Sequence, residues 1–447
     1  ANTERLETEK KGMNHTEGGW PKDVSVDDHD QVKRYRKKIE KDESFLNALY
    51  KLSLRIEDCI RNRDALDIFD RIIHPKCDAK LDQKNINENS IRTISFFSNP
   101  AGSDFTVSGL SWSPGDSNKI AVSYSSTITD KKTNCNSFII DSEDPSTPLY
   151  TLLTHTNCSS IAFNGKDSNI ITLGFEDGRI GLYDIRKVAF EKENIVGSLT
   201  SIEISHSGPV HCIEWIQAKS GSEFFSAGLD GNIFYWDTRK FSEHIEKINI
   251  RNPKLASNHE LEKCSQPGIS AMEFEPTIPT KLLVGAENGT IFIINRKGKT
   301  NSEKLGTQLK ASRGYIGILK RNPFYPKYFI VSGENYLSIW SEDFKDGPIV
   351  EFNNDSGDIA SALWSTTRPG VIFVVMRKGS IEIIDLLESL ESLKTQYKVC
   401  NDKLSCAEIC SNGKKIAVGS ETGKLYFIGI SEKYFLQQKN EKSLVIQ

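Results

Sequence analysis

Apolar and polar residues alternate with a period of two along most of the chain, from about residue 91 to about residue 432. An apolar stretch is followed by a tight turn with Asp-Gly, Asn-Gly or a related dipeptide, and then by a second apolar stretch. This alternation predicts β-strands, and such dipeptides supply the positive φ angles of a β-hairpin turn. The clearest copies of this hairpin unit are residues 169–187, 223–240 and 281–298.

The hairpin unit recurs seven times, and a further strand precedes each copy. Equivalent turn positions, such as Asp177, Asp230 and Asn288, follow one another at a spacing of roughly 40 to 60 residues. This spacing, with three or four strands per unit, is typical of a β-propeller blade. Because a blade buries its faces only against its neighbours, the seven units must close into one ring. The sequence therefore predicts an all-β, seven-bladed propeller over residues 91–432.

One repeat carries the full pattern of a WD repeat. His206 precedes Trp236 by 30 residues, and Asp230 lies in the hairpin turn between them. In such repeats the histidine, the turn aspartate and the tryptophan form a buried hydrogen-bonded set that ties one blade together. We expect the same of His206, Asp230 and Trp236. A hydrolase triad is disfavoured, because the spacing is that of the repeat and no G-x-S-x-G motif is present.

The first ninety residues follow a different pattern. Gly18, Gly19, Trp20 and Pro21 cannot continue a helix or a strand, so residues 1–30 predict an extended arm.

Residues 31–74 repeat apolar positions, Tyr35 and Ile39 among them, at steps of three, four and seven, which predicts an amphipathic helix. This helix either packs on its own domain or docks to a partner chain. A membrane-surface helix is the weaker alternative, because acidic residues interrupt its basic face.

Residues 75–90 resemble a linker, and residues 433–447 resemble a C-terminal tail.

Composition narrows the range of partners. The 57 Lys and Arg residues against 60 Asp and Glu residues leave a formal charge of −3, which disfavours a nucleic-acid-binding protein. No run of apolar residues is long enough to span a bilayer, so we expect no membrane partner. The nine cysteines are odd in number and include no C-x-x-C, which favours a reducing compartment.

The sequence shows no recognisable catalytic or cofactor-binding motif. The nearest phosphate-binding string, residues 419–425, fails the G-x-x-x-x-G-K-[ST] spacing, and the histidines include no H-E-x-x-H. Cys400, Cys406 and Cys410 lie on predicted strands, so core thiols are favoured over a metal site. The strands expected to line the propeller channel consist of Val, Ile, Ser and Ala rather than ionisable residues. We therefore predict a protein that is not an enzyme and holds no cofactor or metal.

Several segments resemble the WD-repeat intermediate chains of axonemal outer-arm dynein, and among these the second type. They include residues 14–24 (NHTEGGWPKDV), 235–240 (YWDTRK), 295–300 (NRKGKT) and 321–327 (RNPFYPK). The first and the last are the most specific, since the physics of a propeller requires neither. The matching blocks extend over nearly the whole chain.

The resemblance implies a non-catalytic structural subunit of the outer dynein arm, located in the axoneme of cilia and flagella after assembly in the cytoplasm. The implied partners are a dynein heavy chain, whose tail the propeller would bind, a second WD-repeat intermediate chain, dynein light chains and, indirectly, the doublet microtubules. The candidate partner-contact residues are Gly18, Gly19, Trp20, Pro21, Tyr35 and Ile39.

The chain departs from the family at two points. Residues 138–141 (FIID) stand where the family commonly has Trp-Asp, and residues 394–397 (KTQY) miss the T-Q-T type of light-chain-binding string. Two alternatives stay open, a cytoplasmic dynein intermediate chain and another WD-repeat scaffold or adaptor, although the arm motif argues against the first. The candidate aromatic anchors for a partner, each of which also suits a core or turn position, are Trp112, Phe324, Tyr325 and Trp364.

Overall fold

The structure is a computed structural model. It describes residues 21, 24–25, 27–65, 91–102, 104–126, 135–187, 194–217, 220–250, 267–275, 278, 280–311, 314–353, 357–387, 395–438 and 441–444. The chain divides into two compact units, Ala1–Ile86 and Asn87–Gln447. Most of the predicted arm and the whole predicted linker lie outside the described residues. In the part of the chain that is described, no helix combines the length and the apolar character needed to cross a membrane.

The N-terminal unit contains two helices, α1 (His29–Ile39) and α2 (Glu43–Ala65). The Asp28 carboxylate caps α1 by accepting a hydrogen bond from the Asp30 backbone N–H at 3.1 Å. The Asp42 carboxylate accepts from the Ser44 backbone N–H at 3.1 Å, at the start of α2. The hydrophobic pattern predicted one continuous helix. The structure divides it at residues 40–42, because Asp42 satisfies N–H groups that a new helix start leaves free.

The second unit is a ring of seven antiparallel sheets, the blades, preceded by strand β1 (Arg92–Ser98). Blade I contains β2 (Phe105–Trp112), β3 (Lys119–Ser126), β4 (Ser137–Asp141) and β5 (Tyr150–Leu153). Blade II contains β6 (Cys158–Phe163), β7 (Ile170–Phe175), β8 (Ile180–Asp184) and, after β9 (Asn194–Val196), β10 (Ser198–Leu199). Blade III contains β11 (Val210–Trp215), β12 (Glu223–Gly228), β13 (Asn232–Asp237) and β14 (Glu246–Asn249).

Blade IV contains β15 (Ile269–Phe274), β16 (Lys281–Ala286), β17 (Thr290–Asn295) and β18 (Leu305–Lys310). Blade V contains β19 (Ile318–Arg321), β20 (Tyr328–Ser332), β21 (Tyr336–Ser341) and β22 (Val350–Asn353). Blade VI contains β23 (Ile359–Trp364), β24 (Val371–Met376), β25 (Ser380–Asp385) and β26 (Thr395–Lys398). Blade VII contains β27 (Leu404–Ile409), β28 (Lys415–Ser420), β29 (Lys424–Gly429) and β1. The short helices are α3 (Asn301–Lys304), α4 (Glu432–Phe435) and α5 (Glu441–Leu444).

The prediction of an all-β, seven-bladed propeller is confirmed, and the structure adds how the ring closes. β1, from the N-terminal end of the propeller, pairs antiparallel with β29, from its C-terminal end, so that Phe96 lies opposite Tyr426. Blade VII is therefore built from both ends of the propeller sequence. The ring cannot open without breaking this pairing.

Blade I carries an additional strand that belongs in sequence to blade II. After β8 the chain crosses to blade I, where β9 pairs parallel with β5, and it then returns to blade II as β10. In this register Leu152 lies opposite Ile195, and both side chains are buried. The crossing covers the outer edge of blade I and joins the first two blades.

The hydrophobic core lies between adjacent blades. Phe225 and Tyr235 of blade III share one cluster with Met272 and Val284 of blade IV. Clusters of the same kind link blades VI and VII. Each blade thus buries its faces on its neighbours, as the repeat pattern requires. The first strand of each blade faces a central channel, and these seven inner strands are β2, β6, β11, β15, β19, β23 and β27.

Candidate interaction sites

Blade III contains a hydrogen-bonded set built on His206, Asp230 and Trp236. His206 Nδ1 lies 3.0 Å from Asp230 Oδ1, and His206 Nε2 lies 2.8 Å from Ser226 Oγ. The Trp236 indole N–H donates to the same Ser226 Oγ at 2.9 Å. The structure brings together the three residues that the sequence named and adds Ser226. The sequence analysis missed Ser226 because one serine within an apolar strand gives no distinctive signal.

The burial of this set distinguishes it from a catalytic triad. The side chain of Ser226 is inaccessible to solvent, and His206 is 3% exposed, so no substrate can reach the serine hydroxyl. Burial alone would raise the pKa of Asp230. Hydrogen bonds from His206 and Asn232 outweigh burial and lower this pKa to about 2.

Among the described residues, a cluster of three Glu side chains and one Lys side chain lies at the central channel, each from a different inner strand. Lys320 Nζ lies 3.0 Å from Glu273 Oε2 and 3.6 Å from Glu214 Oε1. The carboxylate of Glu408 accepts a hydrogen bond from the Trp112 backbone N–H at 3.0 Å. The expectation that the inner strands present only Val, Ile, Ser and Ala is therefore wrong. Along an inner strand, apolar side chains that pack between blades alternate with polar side chains that face the channel. The sequence analysis had assigned the apolar side chains to the channel instead.

Burial in the channel and the neighbouring charges change the pKa values of these side chains. Burial raises the pKa of Glu214 to about 7 and that of Glu408 to about 8, although Lys320 partly opposes both shifts. The carboxylates of Glu273 and Glu214 hold the pKa of Lys320 above its ordinary value, so Lys320 stays a cation. Among the described residues, no group of three or more His, Cys, Asp or Glu side chains is arranged to hold a metal ion.

Two of the candidate aromatic anchors connect neighbouring blades. The indole N–H of Trp112 donates to the Glu408 backbone carbonyl at 3.1 Å, and that of Trp364 donates to the Lys320 carbonyl at 3.1 Å. Both tryptophans are buried. They stabilise the contact between inner strands of adjacent blades and are not exposed loop anchors.

Three of the segments that suggested the family resemblance, residues 235–240, 295–300 and 321–327, also lie at blade contacts. The Arg296 guanidinium lies 3.6 Å from the ring centre of Tyr235 in the preceding blade, and its Nε–H donates to Glu246 at 2.9 Å. Arg321, at the start of the 321–327 turn, donates to Glu342 of its own blade V at 2.6 Å, and the same terminal nitrogen lies 3.9 Å from Glu275 Oε2 of blade IV. These motifs fix the positions of blades III to V.

The segment after β29 crosses to blade VI, where the buried Arg368 holds it. The Nε–H of Arg368 donates to Glu441 at 2.9 Å, and one of its terminal N–H groups donates to the Lys433 carbonyl at 2.8 Å. Its other terminal nitrogen lies 3.0 Å from Asp385 Oδ2. The described part of the predicted C-terminal tail is therefore packed on the propeller.

The other two aromatic candidates contact the same C-terminal segment. The Tyr325 hydroxyl donates to the Lys442 carbonyl at 2.6 Å, and Lys442 Nζ lies 5.1 Å from the ring centre of Phe324. Both rings thus make contacts within the chain.

The candidate partner-contact residues belong to the N-terminal unit. Gly18, Gly19 and Trp20 lie outside the described residues. The Pro21 carbonyl accepts from the Val24 backbone N–H at 3.1 Å. Tyr35 and Ile39 lie on α1 and are partly exposed.

The blades and the set in blade III define a WD-repeat β-propeller. The family model described as "Dynein axonemal intermediate chain 3 WD40 domain" matches residues 233–430. "Dynein axonemal intermediate chain 2" of Mus musculus is 37% identical over 99% of this chain and 70% of its own length. "Dynein intermediate chain 3, ciliary" of Heliocidaris crassispina is 36% identical over 99% and 72%. "Dynein, 70 kDa intermediate chain, flagellar outer arm" of Chlamydomonas reinhardtii is 30% identical over 95% and 73%.

The chain belongs to the axonemal dynein intermediate chains. The chain is located in the axoneme of cilia or flagella, in the context of a dynein complex. The resemblance found in the sequence is confirmed at the level of this family.

Proposed function

We propose that this chain is a non-catalytic structural subunit of the outer dynein arm. Its propeller binds the tail of a dynein heavy chain, and its N-terminal unit pairs with a second, different intermediate chain. Light chains join the same assembly, which forms in the cytoplasm. The assembly then holds the motor on the doublet microtubules of the axoneme.

An exposed apolar stripe on α2 is the observation that carries this proposal. Phe45, Leu49, Leu52 and Ile56 follow one another at steps of four, three and four residues, and their exposed fractions are 41% to 53%. This spacing is the a and d pattern of a coiled-coil seam, which packs against another helix. A row of large exposed apolar side chains indicates an interaction site.

The described residues of the propeller support a role without catalysis. Burial raises the pKa of the Cys212 and Cys406 thiols beside the channel to about 12, so both are neutral and poor nucleophiles. Ser226, whose hydroxyl contacts His206 in blade III, is buried. ATP hydrolysis by the motor then belongs to the heavy chain.

Affinity purification of the tagged full chain from ciliary extract, with the bound proteins identified by mass, tests this function. We expect an axonemal dynein heavy chain and a second WD-repeat intermediate chain to be recovered together. Recovery of cytoplasmic dynein or chromatin proteins, with no axonemal heavy chain, would contradict the proposal.

A pair of variants tests the role of α2 in the same assay. Leu49→Glu places a charge within the apolar stripe, so we expect it to release the second intermediate chain while the heavy chain stays bound. Asn47→Glu adds the same charge on the opposite side of α2 and serves as the matched control. Equal recovery of the second intermediate chain with both variants would show that the stripe is not its binding site.

A further inference from the structure

Helix α1 has two chemically different sides. Val32, Tyr35 and Ile39 follow one another at steps of three and four residues, which places them on one side of the helix. Val32 is 8% exposed, and Tyr35 and Ile39 are partly buried. The opposite side carries four exposed basic residues, which are Lys33, Arg34, Lys37 and Lys38. We call these four residues the basic face of α1.

The cations of the basic face have no counter-charge within the described part of the chain. No described carboxylate forms an ion pair with any of the four. The one acidic residue on this side of α1 is Asp30, which lies in the first turn, where the helix dipole stabilises a negative charge. The basic face is therefore free to pair with anions from outside the described chain.

The positions of these cations disfavour the helix itself. Lys33 and Lys37 are four residues apart, as are Arg34 and Lys38, and like charges at this spacing destabilise a helix. Lys37 and Lys38 lie in the last turn, where a cation stabilises the C-terminus of a helix. Lys33 and Arg34 lie one turn earlier, so the helix dipole does not account for them. An anionic ligand would relieve the repulsion among all four.

The spacing of the cations suits an extended acidic peptide. Two residues four apart on an α-helix are separated by ~6 Å along its axis. In an extended chain, alternate side chains share one side and are separated by ~6.6 Å. Alternate carboxylates of a strand laid along α1 can therefore pair with Lys33 and Lys37, or with Arg34 and Lys38.

We propose that the basic face of α1 binds an extended segment of a partner protein that is rich in Glu or Asp. A lipid surface fits less well, because a helix lying in a membrane inserts its apolar side into lipid, and Val32 on that side is already buried. The formal charge of −3 disfavours nucleic acid. The proposal rests on α1 and is independent of the role assigned to α2.

Binding by this face should depend strongly on salt. A single exposed ion pair contributes little to affinity, so several of the four cations must act together. Salt screens charges that are exposed to solvent, and it therefore weakens all of these ion pairs at once.

Titration of the full chain with fluorescently labelled, blocked octaglutamate, followed by anisotropy, tests the proposal. The control ligand is octaglutamine, which has the same length and no charge. At about 50 mM salt we expect octaglutamate to bind at least about tenfold more tightly, and this difference should disappear at about 500 mM salt. Equal affinities for the two peptides at low salt would overturn the proposal.

Two sets of substitutions locate the site. The α1 variant combines Lys33→Gln, Arg34→Gln, Lys37→Gln and Lys38→Gln, and glutamine keeps a strong preference for helix. The control variant removes the same charge by changing to glutamine four exposed lysines of the propeller, which are Lys187, Lys240, Lys297 and Lys310. We expect only the α1 variant to bind octaglutamate at least about tenfold more weakly than the unmodified chain. Equal affinities of the two variants for octaglutamate would place the site elsewhere and contradict the proposal.

A third variant separates charge from the shape of the side chains. Lys33→Arg with Lys37→Arg and Lys38→Arg keeps every charge and should bind octaglutamate as the unmodified chain does. Sedimentation with vesicles of phosphatidylcholine and phosphatidylserine in equal amounts probes the lipid surface. If the unmodified chain bound these vesicles through the basic face and did not bind octaglutamate, α1 would be assigned to a membrane and the proposal would be wrong.

Discussion

Arg368 and Glu441 form an ion pair with 2.9 Å between Nε and Oε1, and neither side chain is accessible to solvent. One partner belongs to a loop of blade VI and the other to the segment beyond the last strand. Replacing Glu441 leaves Arg368 paired with Asp385, but it removes a buried, charge-assisted hydrogen bond, which is destabilising. This pair therefore makes the C-terminal segment part of the folded propeller.

Glu441→Gln should accordingly lower the free energy of unfolding by about 1–3 kcal/mol, since Asp385 still pairs with Arg368. Chemical denaturation followed by tryptophan fluorescence measures this change. Glu432→Gln, at an exposed carboxylate in α4, is the matched control and should stay within about 0.5 kcal/mol of the unmodified chain. A loss no greater than that of the control would show that the segment can leave the propeller without affecting its stability.

Trp236→Ala should destabilise the propeller by about 3–5 kcal/mol, because it empties a fully buried position and breaks the link to Ser226. Ser226→Ala keeps the packing and removes only the hydrogen bonds, so we expect a smaller loss of about 1–2 kcal/mol. Denaturation curves of the two variants separate packing from hydrogen bonding. A change under about 1 kcal/mol for Trp236→Ala would refute the role of this set as a structural tie.

The carboxyl groups of the channel make stability depend on pH. Burial places the pKa of Glu408 at about 8 and that of Glu214 at about 7, above the ordinary value of 4.5. The folded chain therefore holds more protons than the unfolded one. The contribution of these groups is fully present below a pH of about 4.5 and is lost as the pH rises through 7 and 8.

Glu408→Gln should reduce the loss of stability with rising pH and raise the melting temperature at about pH 9 relative to the unmodified chain. Melting temperatures at about pH 6 and about pH 9 provide the comparison, with Glu287→Gln, at an exposed carboxylate in the turn after β16, as the control that keeps the original slope. Parallel declines for Glu408→Gln and the unmodified chain would mean that Glu408 titrates normally in the folded state.

Trp20→Ala addresses the arm separately from the propeller. We expect it to leave the thermal unfolding of the propeller unchanged and to weaken assembly with the other dynein chains, because the arm motif is not required by propeller packing. Co-purification measures assembly, and calorimetry measures unfolding. Unfolding of the propeller by this substitution would assign Trp20 to the core instead.

The local patterns of the chain predicted the blades, because alternation and turn dipeptides act over a few residues. Asp230 and Gly231, for example, mark a hairpin turn in the sequence and form one in the structure, where Gly231 has a φ of 66°. The family followed from motifs such as residues 321–327. These signals sufficed for the architecture of the propeller.

Contacts between distant segments were not predictable in the same way. The pairing of β1 with β29 joins the two ends of the propeller, and no local pattern in either strand names its partner. The channel cluster was missed because Glu214 and Lys320 resemble ordinary polar residues of half-exposed strands. Only the closed ring brings them together.

The closure of blade VII by β1 also has a consequence for the synthesis of the protein. A ribosome delivers β1 first and β29 last, so six blades form while the strand that seals the ring has no partner. During that time the growing chain is an open arc with unpaired edges, which favours aggregation. A stable subunit therefore exists only after translation has passed the last blade, and a chain that stops earlier yields an arc instead of a ring.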